Sequence, residues 1–303
     1  MNHTERKADG CPVCGFADVQ IFVSIPQVPI YCNLLWATRV RALEAARGDI
    51  ELGFCRNCGY VYNVAFKPDL MDYTQAYENS LHFSPRFQTY AEDLARRLIE
   101  SYGLYNKDII ELGSGQGDFL RLLCDLGGNR GLGFDPSYVP EQDPGVEAGQ
   151  VRFIRDYYSQ AYAGYQADLI CCRHVLEHIQ DPIGLLRIVR GAIGDRLDTI
   201  VFFEVPNMGV TLGSLAIWDI IYEHCSYFVS HSLAFAFERS GYEVLQVAEA
   251  FAGQFLGLES RPRREATAPG AGQSDSLGQI HEQVTAFGKR YRDKVRSWEH
   301  TLE

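Results

Sequence analysis

Two matched cysteine pairs, Cys11/Cys14 and Cys55/Cys58, constrain this chain more than any other feature. Each reads C-x-x-C-G: Cys11-Pro12-Val13-Cys14-Gly15 and Cys55-Arg56-Asn57-Cys58-Gly59. Two thiolates on one tight turn supply half of a tetrahedral zinc shell, and a second such turn closes it. The glycine after each pair lets the backbone turn back toward the sulfurs. The pairs stand 40 residues apart, so the loop between them carries structure of its own. A closed four-cysteine shell keeps no open position for chemistry. The pattern predicts a structural module over residues 1–80, with Cys11, Cys14, Cys55 and Cys58 as zinc ligands. A redox dithiol or two chance pairs are the competing readings.

The 303 residues suit two modest domains, or one large domain with an appendage. No uncharged apolar run reaches the ~18–20 residues of a membrane helix, and Met1–Gly10 is polar, unlike a signal peptide. Nine cysteines, an odd number, fit a reducing, cytoplasmic setting better than a disulfide scaffold. The net charge is −11, and residues 81–260 carry 13 basic against 24 acidic side chains. Residues 1–80 hold seven against nine, whereas a zinc module that grips nucleic acid should be basic.

Residues 1–80 are rich in turns. Helical periodicity begins at Pro85–Tyr102, where Phe87, Tyr90, Ala91, Leu94, Leu98 and Ile99 share a face. Strands and helices then alternate. Asp108–Leu112, Gly131–Phe134, Leu169–Cys172 and Thr199–Val205 read as strands, with a final pair at Glu243–Val247 and Gln254–Glu259. Asp118–Leu126, Ile183–Ile193 and Leu233–Ser240 read as helices. That order argues an open, mostly parallel α/β sheet over residues 81–264. Residues 265–276 read as a linker. Beyond it, Leu277, Ile280, Val284, Phe287, Tyr291, Val295, Trp298 and Leu302 form the stripe of one amphipathic helix. The stripe needs a partner: the body, a second subunit, or a further domain.

Ile109-Ile110-Glu111-Leu112-Gly113-Ser114-Gly115-Gln116-Gly117-Asp118 follows a strand and opens a helix. Gly113, Gly115 and Gly117 let the backbone pass close to a ligand at a helix N-terminus. Asp118 stands where a dinucleotide fingerprint places its third glycine, which weighs against a nicotinamide enzyme. Glu111 would serve a pyrophosphate poorly and a positive amino group well. S-Adenosylmethionine has that amino group, and a sulfonium. Asp135, at the end of the next strand, suits the ribose hydroxyls, and Asp156 suits an adenine amino group. The rival reading is a glycine turn with exposed acids.

Two polar clusters follow strands. In Arg173-His174-Val175-Leu176-Glu177-His178, a helical turn would put His174 and His178 on one side. They would suit a metal, but no third ligand is evident nearby. His178 is the preferred catalytic or substrate-binding residue, and a structural histidine is the rival. In Tyr222-Glu223-His224-Cys225-Ser226-Tyr227-Phe228, adjacent phenol, carboxylate and imidazole in an apolar stretch suit proton transfer. A hydrogen-bonded loop shaping a pocket wall is the alternative.

With these pieces the chain resembles the zinc-containing C-methyltransferases that act on nucleotide-activated keto-deoxysugars next to a ketone. The resemblance covers the cysteine turns, Pro29-Ile30-Tyr31-Cys32-Asn33, Tyr77-Glu78-Asn79-Ser80-Leu81-His82-Phe83-Ser84, the glycine loop and both polar clusters. It implies a Rossmann-like class I methyltransferase sheet with an N-terminal zinc module covering the cofactor pocket. Tyr77, Ser80 and His174 join Glu111, Gly113, Gly115, Gly117, Asp135 and Asp156 around S-adenosylmethionine. Tyr222 and His224 lead as base candidates, with Glu223 and His178 assisting. The family commonly reads Y-H-E-H-x-S-Y-F. Here the first histidine is missing, which shifts Tyr222 by one place against His224. The family also carries a third, C-terminal domain, and this chain ends at Glu303, on the helix that would connect to it.

The implied reaction removes a proton alpha to a carbonyl, and the enolate carbon then attacks the methyl sulfonium. The expected partner is a small molecule, a nucleotide sugar above others, with no nucleic acid and no membrane. Self-association through the last helix is a further expectation. An O- or N-methyltransferase of a small metabolite is the first alternative, ahead of an RNA methyltransferase and a non-catalytic scaffold.

Overall fold

The computed structural model describes residues 10–32, 34–71, 84–139, 150–264 and 274–302. The first cysteine turn leads into β1 (Val19–Pro29), which pairs antiparallel with β2 (Arg47–Cys55) across a connection bearing the short helix α1 (Arg39–Leu43). The second cysteine turn joins β2 to β3 (Val61–Asn63).

Helix α2 (Pro85–Tyr102) starts where Ser84 Oγ accepts from the Phe87 N–H and Pro85 presets the first turn. It stops at Gly103, whose φ of 61° a side chain would resist. Its buried residues are Phe87, Ala91, Leu94, Ala95, Leu98 and Ile99. Tyr90 also turns inward, and its hydroxyl donates to Glu204.

The alternation that follows is β4 (Asp108–Leu112), α3 (Asp118–Gly127), β5 (Arg130–Phe134), β6 (Val151–Ile154), β7 (Leu169–Arg173), α4 (Pro182–Ile193), β8 (Ile200–Pro206) and α5 (Met208–Ser214). Then come β9 (Ser226–Tyr227), α6 (Ser230–Arg239), β10 (Tyr242–Ala250), β11 (Phe255–Pro262) and α7 (Ser274–Leu302). Seven strands form one sheet in the order β10-β11-β8-β7-β4-β5-β6. β4 to β8 run parallel, while β11 is antiparallel to both β8 and β10. β7 is buried at all five residues, as a central strand covered on both faces must be. From β4 the order runs outward both ways, so a crevice opens between the C-terminal ends of β4 and β7.

A second, four-stranded sheet has the order β1-β2-β3-β9. Its last strand comes from far down the chain: Val61 pairs with Tyr227 and Tyr62 with Ser226. Helix α7 lies against this sheet. Ile280, Val284 and Phe287 are buried with Phe22, Ile50 and Leu52 in one core. The body therefore covers the first half of the stripe, while Trp298 and Leu302 at its end stay exposed. No described helix is long and apolar enough to cross a membrane.

Candidate active site

The glycine loop leaves β4 in left-handed backbone: φ is 67° at Gly113, 54° at Gly115 and 87° at Gly117. A Cβ at Gly113 would come within 2.1 Å of Val175, and one at Gly117 within 2.2 Å of Phe153. A Cβ at Gly115 would meet nothing within 4 Å, so this glycine faces open space. The Gly115 N–H donates to Asp135 (2.7 Å), whose other oxygen accepts from the backbone and hydroxyl of Ser137.

Beneath the loop, Glu111 Oε2 and Ser114 Oγ are buried without hydrogen-bond partners among the described residues. Burial pushes the Glu111 carboxyl up to about 8, against the pull of Arg173. A buried carboxyl oxygen without a hydrogen-bond partner, beside a glycine cradle, fits a ligand with an ammonium group. Asp156 lies in the open, accepting from the Tyr157 N–H and the Tyr162 hydroxyl. Tyr77 and Ser80 lie outside the described residues.

His174 and His178 do not share a helical side. His174 directly follows β7 in left-handed backbone (φ 55°), and its N–H is held by the Glu204 carbonyl. Its ring lies against Glu204 (3.0 Å) and Glu177 (3.7 Å), without the alignment of a hydrogen bond to Glu204. Burial lowers its pKa, but the two carboxylates outweigh that and raise it to about 9. Glu204 also accepts two bonds from the buried Arg173, at 3.0 and 2.8 Å. Burial opposes the Glu204 charge, yet Arg173, His174 and Tyr90 hold its carboxyl down to about 2.

Only Leu176–His178 forms a helical turn, of the tight 3₁₀ kind. It brings His178 to the second cluster. The His178 and His224 rings meet edge to face with centroids 4.9 Å apart. Each Nδ1 lies 2.9 Å from a backbone carbonyl: His178 at Glu223, His224 at Asp219. Burial, and then the neighbouring His178, lower the His224 pKa to about 4. The buried Glu177 joins them, so a third potential ligand is present after all: ligand atoms of Glu177, His178 and His224 lie within 4.8 Å of one another.

The other two members of the Tyr–Glu–His triplet point elsewhere. The Tyr222 hydroxyl accepts from the Lys67 N–H (2.9 Å), and its ring packs over Gly48. Glu223 Oε1 accepts from the Cys32 N–H at 3.1 Å. A cavity of about 650 Å3 opens beside Tyr222, lined by Arg47, Asp49, Lys67, Gln180 and Cys225 among others. The glycine loop does not line it.

The four cysteines converge as the spacing predicts. Cys11 and Cys58 sulfurs are 3.6 Å apart, Cys14 and Cys55 3.5 Å, and all four lie within 4.8 Å. These separations are too long for disulfides and close to the ~3.8 Å edge of a tetrahedron with ~2.3 Å zinc–sulfur bonds. Gly15 (φ 79°) and Gly59 (φ 73°) turn each loop, and each N–H donates back to the first cysteine's carbonyl. The shell is compatible with zinc.

A family model described as a methyltransferase domain matches residues 84–247, more than half of the chain. The chain belongs to that family. Its methyltransferase domain is built on a Rossmann-like class I sheet. Among solved structures, it is similar to an N,N-8-amino-8-demethyl-D-riboflavin dimethyltransferase from Streptomyces davawensis (20% identity, TM-score 0.47), over 58% of this chain and 55% of that one. Magnesium protoporphyrin IX methyltransferase from Synechocystis PCC 6803 matches at 15% identity and TM-score 0.46, over 58% and 84%. Human N-acetylserotonin methyltransferase matches at 16% and 0.45, over 58% and 55%. The match thus spans just over half the length of the first and the last. No curated protein matches the chain.

Sequence reasoning misses several residues of this methyltransferase. Glu177 stands between the two histidines, where nothing in the local pattern singles it out. Arg173 and Glu204 are register partners on adjacent parallel strands, which no local pattern announces either. Asp219, whose carbonyl holds His224, lies five residues upstream of it.

Proposed function

We propose that this methyltransferase transfers a methyl group to carbon, alpha to a carbonyl, in a nucleotide-linked keto-deoxysugar or a related biosynthetic intermediate. The observation that carries the reading is the meeting of His224 with His178, which lies on the segment whose Val175 packs on Gly113. That arrangement supports an imidazole pair near the donor loop, as proton abstraction next to methyl transfer requires. S-Adenosylmethionine supplies an electrophilic methyl group. Glu111 faces its ammonium, Gly113, Gly115 and Gly117 admit it, and Asp135 takes the ribose hydroxyls. Asp156, His174, Tyr77 and Ser80 complete that pocket.

His224 removes the α-proton, with its Nδ1 tied to the Asp219 carbonyl and His178 alongside. Tyr222 and Glu223 shape the acceptor side instead of sharing the proton. The polar cavity at Tyr222 supports a polar acceptor: Arg47 and Lys67 suit phosphates, and Gln180 and Cys225 adjoin the histidine segments. Zinc fills the cysteine shell and holds residues 1–80 as a non-catalytic module, ahead of the methyltransferase domain at 81–264 and the linker and helix at 265–303. Nine cysteines without a disulfide, four of them in the zinc shell, fit a cytoplasmic setting.

The test incubates candidate keto-deoxysugar nucleotides with the protein and S-adenosylhomocysteine in deuterated water. Deuterium should enter the carbon alpha to the ketone, and His224→Ala should stop it. No exchange, with a parallel incubation in S-adenosylmethionine delivering its methyl group to oxygen or nitrogen, would overturn the reading.

A further inference from the structure

We propose that Glu177, His178 and His224 form a second metal site, distinct from the cysteine shell, for one divalent transition-metal ion. Two histidines and a carboxylate offer one ligand atom each, all within 4.8 Å of one another. Both imidazoles are oriented from behind. The Glu223 carbonyl sits 2.9 Å from His178 Nδ1, and the Asp219 carbonyl 2.9 Å from His224 Nδ1. A carbonyl accepts only, so each Nδ1 carries the proton and each ring presents Nε2 as its ligand atom. Metal-binding histidines are held in this way by a second layer of carbonyls or carboxylates.

The third ligand is an independent sign. Glu177 is 2% exposed, and its Oε2 is buried with no hydrogen-bond partner among the described residues. An ionised carboxylate in that position is costly unless something cationic meets it. His174 lies 3.7 Å from Oε1, which leaves Oε2 for the ion. The backbone there is fixed as well: the Cys225 N–H donates to the Glu177 carbonyl at 2.9 Å, tying the His178 and His224 segments together.

Two nitrogens and one oxygen select a borderline ion such as zinc, cobalt(II), nickel(II) or iron(II) over calcium or magnesium. Three protein ligands leave an open position for water or an acceptor oxygen. The ion binds the lone pair on His224 that proton abstraction would use. The loaded site is therefore closed to that step, and the unloaded site is open to it. This inference goes beyond the proposed reaction, because the ion binds whatever the acceptor is.

The experiment titrates cobalt(II) into full-length protein whose cysteine shell already holds one zinc per chain. One further equivalent should bind, with weak ligand-field bands and no thiolate charge-transfer band. Glu177→Gln and His178→Gln, each checked for folding by circular dichroism, should each weaken that equivalent at least tenfold and leave the zinc in place. No second equivalent, one that survives both substitutions, or one with thiolate bands would overturn the proposal. Bound cobalt should also suppress the deuterium exchange described above. Binding with undiminished exchange would confirm the metal site and reject His224 as the base, so the two readings fail separately.

Discussion

Gly113 shows how much one methyl group can decide. Its φ of 67° is left-handed, and an added Cβ would collide with Val175 at 2.1 Å. The backbone strain alone costs ~1–2 kcal/mol in a residue with a side chain. Gly113→Ala should lower stability by at least about that much, measurable by urea unfolding. An unchanged midpoint would mean the loop relaxes freely. This glycine was legible in the sequence because strand, loop and helix are contiguous there. The charged cluster of Arg173, His174 and Glu204 was not. Glu204 sits in an apolar strand and gains its role only when β7 and β8 align it with Arg173. The same group sets a pH window. Glu204 is held at about 2 against an ordinary 4.5, so its contribution is complete above 4.5 and is lost as pH falls toward 2. His174 is raised to about 9 from 6.5, so its contribution is complete below 6.5 and is lost as pH rises through 9. His174→Gln should flatten the fall in melting temperature between pH 6.5 and 9. A parallel fall in both proteins would remove the ion pair as its cause.

Among the described elements, the shortest strand links distant parts of the chain. β9 is two residues long, yet it joins the cysteine-bearing sheet to the loop that carries His224. Tyr60, which follows the second cysteine turn, places its hydroxyl 2.5 Å from Ser226 Oγ, and that oxygen donates to the Ile179 carbonyl at 2.6 Å. Ile179 and Ser226 adjoin the two histidine segments. Tyr60→Phe removes one buried hydroxyl and should cost about 1–2 kcal/mol. It should also speed amide exchange at residues 225–228, read by mass spectrometry. Unaltered protection there would break this link. Long elements were readable in advance: α2, β4 and α4 fall within a residue of their sequence limits because periodicity, caps and glycines agree. β9 and the 3₁₀ turn at Leu176–His178 were not. A pairing of two residues is dictated by a partner strand some 160 positions away, and a single turn leaves no period to detect.

At the scale of the whole molecule, the cysteine shell lies in one sheet and the donor loop in the other, joined through the His224 segment. Removing the proposed zinc with a chelator should therefore loosen the β1–β2–β3–β9 sheet and the histidine pair first. S-Adenosylmethionine affinity should fall as well, since the two sheets share a core with Tyr60, Phe203 and Phe228 in it. Full affinity in folded, metal-free protein would separate module from donor site. The central claim is that the donor sits on the glycine loop, beside histidines that act on the acceptor. Calorimetric titration with S-adenosylhomocysteine tests it most directly, using wild type, Gly115→Val and His224→Ala. One site per chain is expected in wild type. Gly115→Val, which fills the open space at the loop, should abolish it, and His224→Ala should keep it. No binding to wild type, or equal binding to Gly115→Val, would contradict the account.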